Sequence, residues 1–369
     1  MKLLPSLLGL ACLARLGAAT FQPTGVPFKA PVTVAAGFVA KVAFSNLTAP
    51  RGIAFDSEQN LLVIERGFGV TAFTRVSGPS PGFERTVVVQ NPDLTHGIEV
   101  DGSTLYVSTA SSVIAYEYDA TTKSVSASPA SPYAVVDGVP GDGGESHHSS
   151  TERNDLTVDT ELKTHTLLLE KNPTTGTRRA ILVGAGPLTN IDPTARDPAS
   201  GRSQIRRFVF PLTSPPVYPP VALHWADGQI IAYGIRNPGG FAYRVGPTIG
   251  TANTLNLYTV ENGASIDGAA GLTTQFVNDN PSDELNLVKY STGPYPALPK
   301  SYGFPDCTSL WNGDADIAGV PQYAGLPRGS QFSLNLDLLH NDAWCKDAAK
   351  NQPPLLHFQR SLPIEFPSL

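Results

Sequence analysis

Several features that define large protein classes are missing from this sequence. Beyond residue 16 it has no apolar run of the ~20 residues that a transmembrane helix needs. It also has no cluster of basic residues of the kind that binds nucleic acid, and its formal net charge is −6. Helical periodicity is nearly absent, and Leu334–Leu339 is the best short candidate for a helix. We therefore expect neither a membrane-spanning protein nor a nucleic-acid-binding one.

Glycine and proline are instead abundant, with 34 and 33 copies in 369 residues. Long helices do not tolerate that density, whereas strands joined by turns do. Gly52–Asp56 and Leu61–Glu65 are typical of a hairpin, and a second pair of the same form, Gly97–Asp101 and Leu105–Thr109, begins about 45 residues later. A repeat of that length matches one four-stranded blade, so we predict an all-β propeller.

The start of the sequence is typical of a secretory signal. Met1 and Lys2 precede an apolar run, Leu3–Leu16, and a small-residue exit, Gly17–Ala19. We predict a signal peptide at residues 1–19, a secreted protein, and one propeller domain at residues 20–369. Asn46 begins the one glycosylation sequon with a permitted middle residue, which supports an exported glycoprotein.

The cysteines are consistent with export. Cys12 lies in the predicted signal, which leaves Cys307 and Cys345. In an oxidising compartment one disulfide is the default interpretation, and two buried thiols are the alternative.

Two regions depart from the strand pattern. Residues 144–161 are polar and charged, and they are interpreted either as a disordered surface insertion or as a retained intron. After Cys345 no closing strand pattern follows. Since a propeller needs its last blade to close the ring, we expect this one to lack part or all of that blade through C-terminal truncation.

Three short polar motifs lie in the last third, each after an apolar, strand-like run. They are Arg-Asn-Pro-Gly-Gly at 236–240, Glu-Asn-Gly-Ala at 261–264 and Asp-Glu-Leu-Asn at 283–286. A guanidinium, an amide and glycine-flanked carbonyls suit an anionic, carbonyl-rich cofactor with a hard cation. Adjacent strand residues point to opposite faces, so Asp283 and Glu284 are not expected to share a site. We favour a structural role for Glu284 or Asn286.

The order and spacing of these motifs resemble those of secreted fungal sugar dehydrogenases that depend on pyrroloquinoline quinone (PQQ). That group is often labelled L-sorbosone or pyranose dehydrogenase and is similar to soluble quinoprotein glucose dehydrogenase. Pro50–Asp56, His96–Glu99, Asn190–Pro193 and Tyr302–Pro305 carry the same resemblance, which runs from about Phe38 to Phe366. It implies a six-bladed β-propeller with the quinone at one mouth of the central channel.

The resemblance also implies roles for particular residues. Arg236 and Asn237 would bind the carboxylates and quinone oxygens of PQQ. The backbone carbonyls of Gly263 and Ala264 would coordinate Ca²⁺, which would polarise the quinone carbonyl that receives hydride. Arg66 and His96, at strand ends in the first two blades, are further candidate cofactor-binding residues at the same mouth.

The catalytic base is where the sequence differs from the family pattern. Related enzymes take the substrate's hydroxyl proton with a histidine that precedes a leucine-rich strand. Here that position holds Leu162, and His165 lies three residues further on. His165 is therefore the candidate base, and the alternatives are a shifted loop or quinone binding without efficient turnover.

Together these features predict a quinoprotein dehydrogenase that oxidises an aldose or L-sorbosone-like sugar by hydride transfer to calcium-bound PQQ. Its electrons would pass to a haem-type acceptor such as a cytochrome. A calcium-dependent propeller lactonase or esterase is one alternative, although a hydrolase has no quinone for the Arg-Asn-Pro motif to bind. A propeller that binds a ligand without catalysis is the other.

Overall fold

The protein is an all-β propeller in which four blades are seen. The computed structural model describes residues 27–28, 32, 34, 36–77, 82–127, 131–141, 165–172, 175–210, 221–243, 254–267, 269, 271–291 and 298–359. Among these residues no helix combines the length and the apolar character needed to cross a membrane.

The first two blades confirm the predicted hairpins. Blade 1 consists of four antiparallel strands in sequence order: β1 (Pro50–Phe55), β2 (Leu61–Glu65), β3 (Gly69–Val76) and β4 (Gly82–Gln90). Blade 2 contains β5 (Leu94–Asp101), β6 (Thr104–Thr109), β7 (Val113–Asp119), β8 (Ser124–Val125) and β9 (Tyr133–Asp137). The turn between β5 and β6 is tight because Gly102 adopts a left-handed φ of 57°, which glycine accepts without a Cβ clash.

The next two blades follow the same plan. Blade 3 consists of β10 (Leu167–Lys171), β11 (Arg178–Ala185), β12 (Gln204–Val209) and β14 (Gln229–Tyr233). The short strand β13 (Leu223–His224) leaves that order and pairs in parallel with β9 of blade 2. Blade 4 consists of β15 (Pro238–Tyr243), β16 (Thr254–Glu261), β17 (Ser282–Ser291) and β20 (Leu356–Gln359).

The inner strands of neighbouring blades approach closely, and glycines make this possible. A Cβ on Gly52 would lie 2.1 Å from the carbonyl oxygen of His96, and one on Gly97 would lie 2.3 Å from that of His165. Each of these glycines begins the Gly-Ile pair that the sequence repeats. The repeat therefore marks the line along which blade 1 meets blade 2 and blade 2 meets blade 3.

A buried polar cluster joins blades 3 and 4. Arg207 of β12 donates two hydrogen bonds to Glu170 of β10, at 2.6 and 2.7 Å. Tyr290 of β17 donates to the same carboxylate at 3.0 Å. All three side chains are almost fully buried, so the charges are paired in a dry environment.

Residues 303–347, which we call the cap, form a separate cluster beside blade 4. They contain β18 (Cys307–Ser309), β19 (Gln331–Ser333), α2 (Asp342–Lys346) and a 3-10 turn at Pro321–Tyr323, and they pack with α1 (Thr274–Asp279). Further 3-10 turns lie at Pro193–Arg196, Pro198–Ser200 and Trp225–Asp227. The predicted Cys307–Cys345 disulfide is confirmed and ties β18 to α2.

One local prediction is wrong. Leu334–Leu339 does not form a helix but a series of bends between β19 and α2. Asn335 has a left-handed φ of 53°, and the Asp337 carboxylate accepts hydrogen bonds from the backbone N–H groups of Leu339 and His340, each at 2.8 Å. Short polar side chains of this kind compete with the helical hydrogen-bond pattern.

The structure does not test several predictions about the number of blades, the chain ends and residues 144–162. Six blades and C-terminal truncation are not tested by the four blades seen. The predicted signal peptide at 1–19, the segment at 144–161 and Leu162 lie outside the described residues.

Candidate functional site

The predicted site motifs converge at one end of the propeller. The inner strands β1, β5, β10 and β15 all begin at this end, which we call the mouth. Here a small cavity of about 20 Å³ is lined by Arg236, Glu261, Gly263, Ala264, Ser282 and Glu284, and by cap residues including Phe304 and Leu334. A cavity of that size holds about one water molecule or one small ion.

Arg236 lies in the turn between β14 and β15 and is buried. Its Nε donates to the carbonyl of Asn190 at 2.9 Å, and its Nη2 donates to the side-chain oxygen of the same residue at 2.9 Å. Its Nη1 donates to the carbonyl of Asn262 at 3.1 Å. The guanidinium therefore holds two loops together and places a fixed positive charge in the cavity wall.

Two carboxyl groups face each other across strands in the same wall. Glu261, at the end of β16, pairs in register with Glu284 on β17, and both are more than nine-tenths buried. Ser309 donates a hydrogen bond to Glu284 at 2.6 Å. Among the described residues, Oε2 of Glu261 is buried without a hydrogen-bond partner.

Burial sets the protonation of this pair. The pKa of Glu261 is raised above its ordinary range, mainly by burial and next by the neighbouring carboxyl group of Glu284. Burial also raises the pKa of Glu284, against the lowering effect of its hydrogen bonds. Two carboxylates so close and so dry do not both ionise unless a positive charge joins them.

The loop after β16 brings the predicted metal-binding carbonyls to the same cavity. The backbone N–H of Gly263 donates to Asp283 at 2.8 Å, and Ala264 is buried in the cluster that includes Phe304 and Leu334. A Cβ on Gly263 would lie 2.9 Å from the carbonyl oxygen of Ser282, so this approach of two loops depends on glycine.

His96 and Asn237 lie near this region. His96, on the inner strand β5, has its Nε2 3.2 Å from the carbonyl oxygen of Gly239 on β15. Burial lowers the pKa of His96, so its ring is neutral near pH 7. Asn237 is buried beside Arg236, and its carbonyl accepts a hydrogen bond from the backbone of Asn262. Arg66 lies at the same end of blade 1, on the turn after β2.

His165 is placed differently from what a general base requires. It precedes β10 and is only 1% exposed. Its Nδ1 lies 3.1 Å from the carbonyl oxygen of Gly184, and its Nε2 lies 2.9 Å from that of Ala110. Both ring nitrogens thus face backbone acceptors, an arrangement that joins blades 2 and 3.

The paired carboxyls were missed by sequence reasoning. Adjacent Asp283 and Glu284 point to different partners, as expected, because Asp283 binds Gly263 whereas Glu284 faces Ser309. The partner of Glu284 is Glu261, 23 positions away in sequence and opposite in register. In the sequence, Glu261 and Glu284 both lie near strand ends within the motifs. Only the register of β16 and β17 shows that the two residues are opposite each other.

The donor set fits a hard cation. Glu261, which has an unpartnered buried carboxylate oxygen, lines a cavity of ion size together with Glu284, Gly263 and Ala264, and carboxylate and carbonyl oxygens are the ligands that Ca²⁺ prefers. A planar quinone is larger than this cavity.

Fold and site together define a class, namely an all-β propeller with a buried, oxygen-rich cavity beside an arginine at its mouth. The chain belongs to the TrAA12-like family, whose model matches residues 32–366.

Two similar proteins are named for an enzymatic activity. The chain is 31% identical over 329 residues to a pyrroloquinoline quinone-dependent sugar dehydrogenase of Hypocrea jecorina, covering 87% of this chain and 66% of that protein. It is 28% identical over 338 residues to a pyrroloquinoline quinone-dependent pyranose dehydrogenase of Coprinopsis cinerea, covering 90% of this chain and 40% of that protein. The chain thus spans less than two thirds of the length of both relatives.

Solved structures give the same fold. The calcium structure of the Trichoderma reesei Carbohydrate-Active Enzymes Family AA12 matches with a TM-score of 0.65 and 30% identity, over 86% of this chain and 70% of that one. The holo form of the pyranose dehydrogenase PQQ domain from Coprinopsis cinerea matches with a TM-score of 0.65 and 24% identity, over 91% of this chain and 71% of that one. The second match supports the fold alone.

Proposed function

We propose that this protein is a PQQ-dependent sugar dehydrogenase whose mouth cavity holds Ca²⁺. It would oxidise an aldose or L-sorbosone-like sugar and pass the electrons to a haem-type acceptor such as a cytochrome. The observation that carries the proposal is the buried, unpartnered carboxylate oxygen of Glu261 in an ion-sized cavity beside Arg236. A hydrolase needs no such arginine, so the lactonase alternative is less favoured.

Specific groups would hold the cation and the quinone. The carbonyls of Gly263 and Ala264 and the Glu261 carboxylate would provide hard oxygen ligands for Ca²⁺. When bound, the quinone supplies the hydride acceptor. Arg236 would attract the carboxylates of the quinone with its fixed charge. Asn237 and Arg66, in turns at the mouth, and His96, on β5, would contact the quinone as well.

The proton of the sugar hydroxyl group needs an acceptor close to the sugar carbon that loses the hydride. We propose His165 for this role on the family resemblance, although a substrate would have to displace one of its two backbone contacts. The test is the pH profile of His165→Gln, because a catalytic histidine controls the acidic limb of kcat/KM, whereas a purely structural one does not.

A second candidate follows from that same geometry. If both ring nitrogens of His165 stay bound to Gly184 and Ala110, the protein would bind the quinone and the cation without efficient turnover. This candidate differs from the first in one respect only, since it predicts cofactor binding without reduction by sugars.

Reconstitution with PQQ and Ca²⁺ tests both candidates. A bound-quinone absorbance that bleaches on adding a sugar supports the dehydrogenase. Binding without bleaching by a panel of aldoses and L-sorbosone supports the second candidate. No quinone binding in the presence of Ca²⁺ contradicts both.

We also propose that the protein is exported and glycosylated. Asn46 of the sequon is exposed and precedes β1, so an oligosaccharide there would not disturb the core. Mass spectrometry of protein secreted by a fungal host, before and after removal of N-linked glycans, tests this proposal.

A further inference from the structure

His96 makes a contact that joins two blades across a third. It lies on β5, the inner strand of blade 2, and its Nε2 is 3.2 Å from the carbonyl oxygen of Gly239 on β15, the inner strand of blade 4. The inner strand of blade 3, β10, contacts both of these strands, so blade 3 lies between blades 2 and 4. A side chain that joins two blades separated in this way lies inside the ring of inner strands. His96 is therefore placed at the mouth, beside the Arg-Asn-Pro-Gly-Gly motif.

The same contact determines which ring nitrogen of His96 carries the hydrogen. A carbonyl oxygen can only accept a hydrogen bond, so Nε2 is the donor. In a neutral imidazole the other nitrogen, Nδ1, then keeps its lone pair. Nδ1 is buried, and no group in the part of the chain that the structure describes forms a hydrogen bond with it. His96 thus presents a proton acceptor in a fixed orientation.

The surroundings of His96 keep its ring neutral. Burial is the main cause of its lowered pKa, the hydrogen bond with Gly239 opposes this effect, and Arg51 on β1 and His165 before β10 add to it. The pKa of His96 therefore lies below the ordinary histidine value of about 6.5. At pH 7 its Nδ1 is unprotonated, which is the state that a general base needs.

His165 does not present an acceptor of this kind. Its Nδ1 lies 3.1 Å from the carbonyl oxygen of Gly184, and its Nε2 lies 2.9 Å from that of Ala110. A neutral imidazole can donate from one nitrogen only, so two carbonyl partners favour a ring that carries a hydrogen on both nitrogens. Such a ring has no lone pair with which to accept a proton. These contacts suit His165 to joining blades 2 and 3 better than to proton transfer.

We propose that Nδ1 of His96 is the general base for the sugar, the role that the family resemblance gives to His165. This inference rests on the proposed dehydrogenase function. The sugar hydroxyl would reach Nδ1 directly or through one bridging water. Its proton passes to Nδ1, a hydride with its electron pair passes from the same sugar carbon to the quinone, and the carbon–oxygen single bond becomes a double bond. The proton then leaves Nδ1 for solvent.

The variant His96→Gln tests this role, and His165→Gln is its matched control. The amide nitrogen of a glutamine can replace Nε2 as the donor to the Gly239 carbonyl, but the side chain has no basic nitrogen. The wild type and both variants are reconstituted with PQQ and Ca²⁺. For each protein we would measure the PQQ affinity, the rate at which a sugar bleaches the bound quinone, and the pH dependence of kcat/KM.

We expect His96→Gln to lose less than about tenfold in PQQ affinity but at least about 100-fold in the rate of quinone bleaching. The wild-type kcat/KM should fall as the pH drops below about 6.5, because His96 then becomes protonated. This acidic limb should be absent from His96→Gln and present in His165→Gln. The opposite result, a limb lost from His165→Gln and kept in His96→Gln, would overturn the assignment and leave the dehydrogenase function intact.

A second measurement requires no variant. Nitrogen-15 NMR of the quinone-free wild type, labelled at histidine, should show His96 with its hydrogen on Nε2 and with a second proton added only below about pH 6.5. A hydrogen on Nδ1 of His96 at pH 7 would also overturn the assignment. If sugars fail to bleach the quinone bound to the wild type, the dehydrogenase function itself fails, and this inference fails with it.

Discussion

Glu99 is a half-buried acid outside the proposed site. It lies on the inner strand β5, and burial raises its pKa to about 7, an effect that nearby Asp101 adds to and Lys171 opposes. Since this pKa is higher in the folded than in the unfolded protein, Glu99 is protonated when folded at pH 5. The contribution of Glu99 therefore lowers the free energy of unfolding progressively as the pH rises from about 4.5 through 7.

The variant Glu99→Gln tests this assignment because it keeps the shape and removes the charge. We expect it to raise the free energy of unfolding by about 2 kcal/mol at pH 8 and to change it little at pH 5. The measurement is urea unfolding at both pH values. Glu58→Gln, at an exposed position, is the control and should show no such pH-dependent gain. A gain of equal size at pH 5 would contradict the charge-based account.

Individual site residues differed in how far sequence could predict them. Arg236, Gly263 and Ala264 were predicted from motifs and do line one cavity, although their roles toward a cofactor stay predictions. Glu261 was not singled out, because its importance depends on the register with Glu284. The closed environment of His165 was equally hidden, since it depends on carbonyls of two different blades.

At the scale of elements, the close contact between inner strands should make Gly97 much less tolerant of a side chain than Gly82. A Cβ on Gly97 would lie 2.5 Å from Cγ of Leu167 as well as near the His165 carbonyl. We expect Gly97→Ala to lower the free energy of unfolding by about 2–3 kcal/mol through overpacking. At Gly82, on β4, a Cβ would meet nothing within 4 Å, so Gly82→Ala should be neutral or slightly stabilising. Equal effects of the two substitutions in thermal unfolding would contradict this account of blade packing.

The buried contact between blades 3 and 4 makes a second prediction. Glu170→Ala leaves Arg207 buried without its carboxylate and should cost about 3–5 kcal/mol. The neighbouring Lys171, paired with Asp101 at 2.8 Å but 41% exposed, provides the control, and Lys171→Ala should cost less than about 1 kcal/mol. Both values come from denaturant unfolding, and a loss below about 1 kcal/mol for Glu170→Ala would show that the cluster does not hold the blades together.

The predicted hairpins of the first two blades were confirmed because alternation and turn residues there act locally. Leu334–Leu339 was mispredicted for the opposite reason. Its apolar spacing favours a helix, but Asp337 is bound to His340 and to Arg196 from a distant segment. Tertiary contacts of this kind leave no local pattern in the sequence.

At the scale of the whole molecule, the propeller and the cap together build the mouth. Strands of blade 4 supply Glu261 and Glu284, the turn before that blade supplies Arg236, and the disulfide-linked cap supplies Phe304 and Leu334. Class and family could be anticipated, because the repeated hairpins indicate a propeller and the order of the motifs resembles that of one family. The cap could not, since its hydrophobic cluster joins residues from Ala195 to Leu334.

The most direct test of the central claim is the calcium dependence of PQQ binding, measured by equilibrium titration of the quinone-free protein. For the wild type we predict that a calcium chelator abolishes PQQ binding and that added Ca²⁺ restores it. Glu261→Gln should need at least about tenfold more Ca²⁺ for half-maximal binding, whereas Glu117→Gln, at an exposed position on β7, should match the wild type. PQQ binding that is unaffected by the chelator, or a calcium requirement unchanged in Glu261→Gln, would contradict the assignment of this cavity as the cation site.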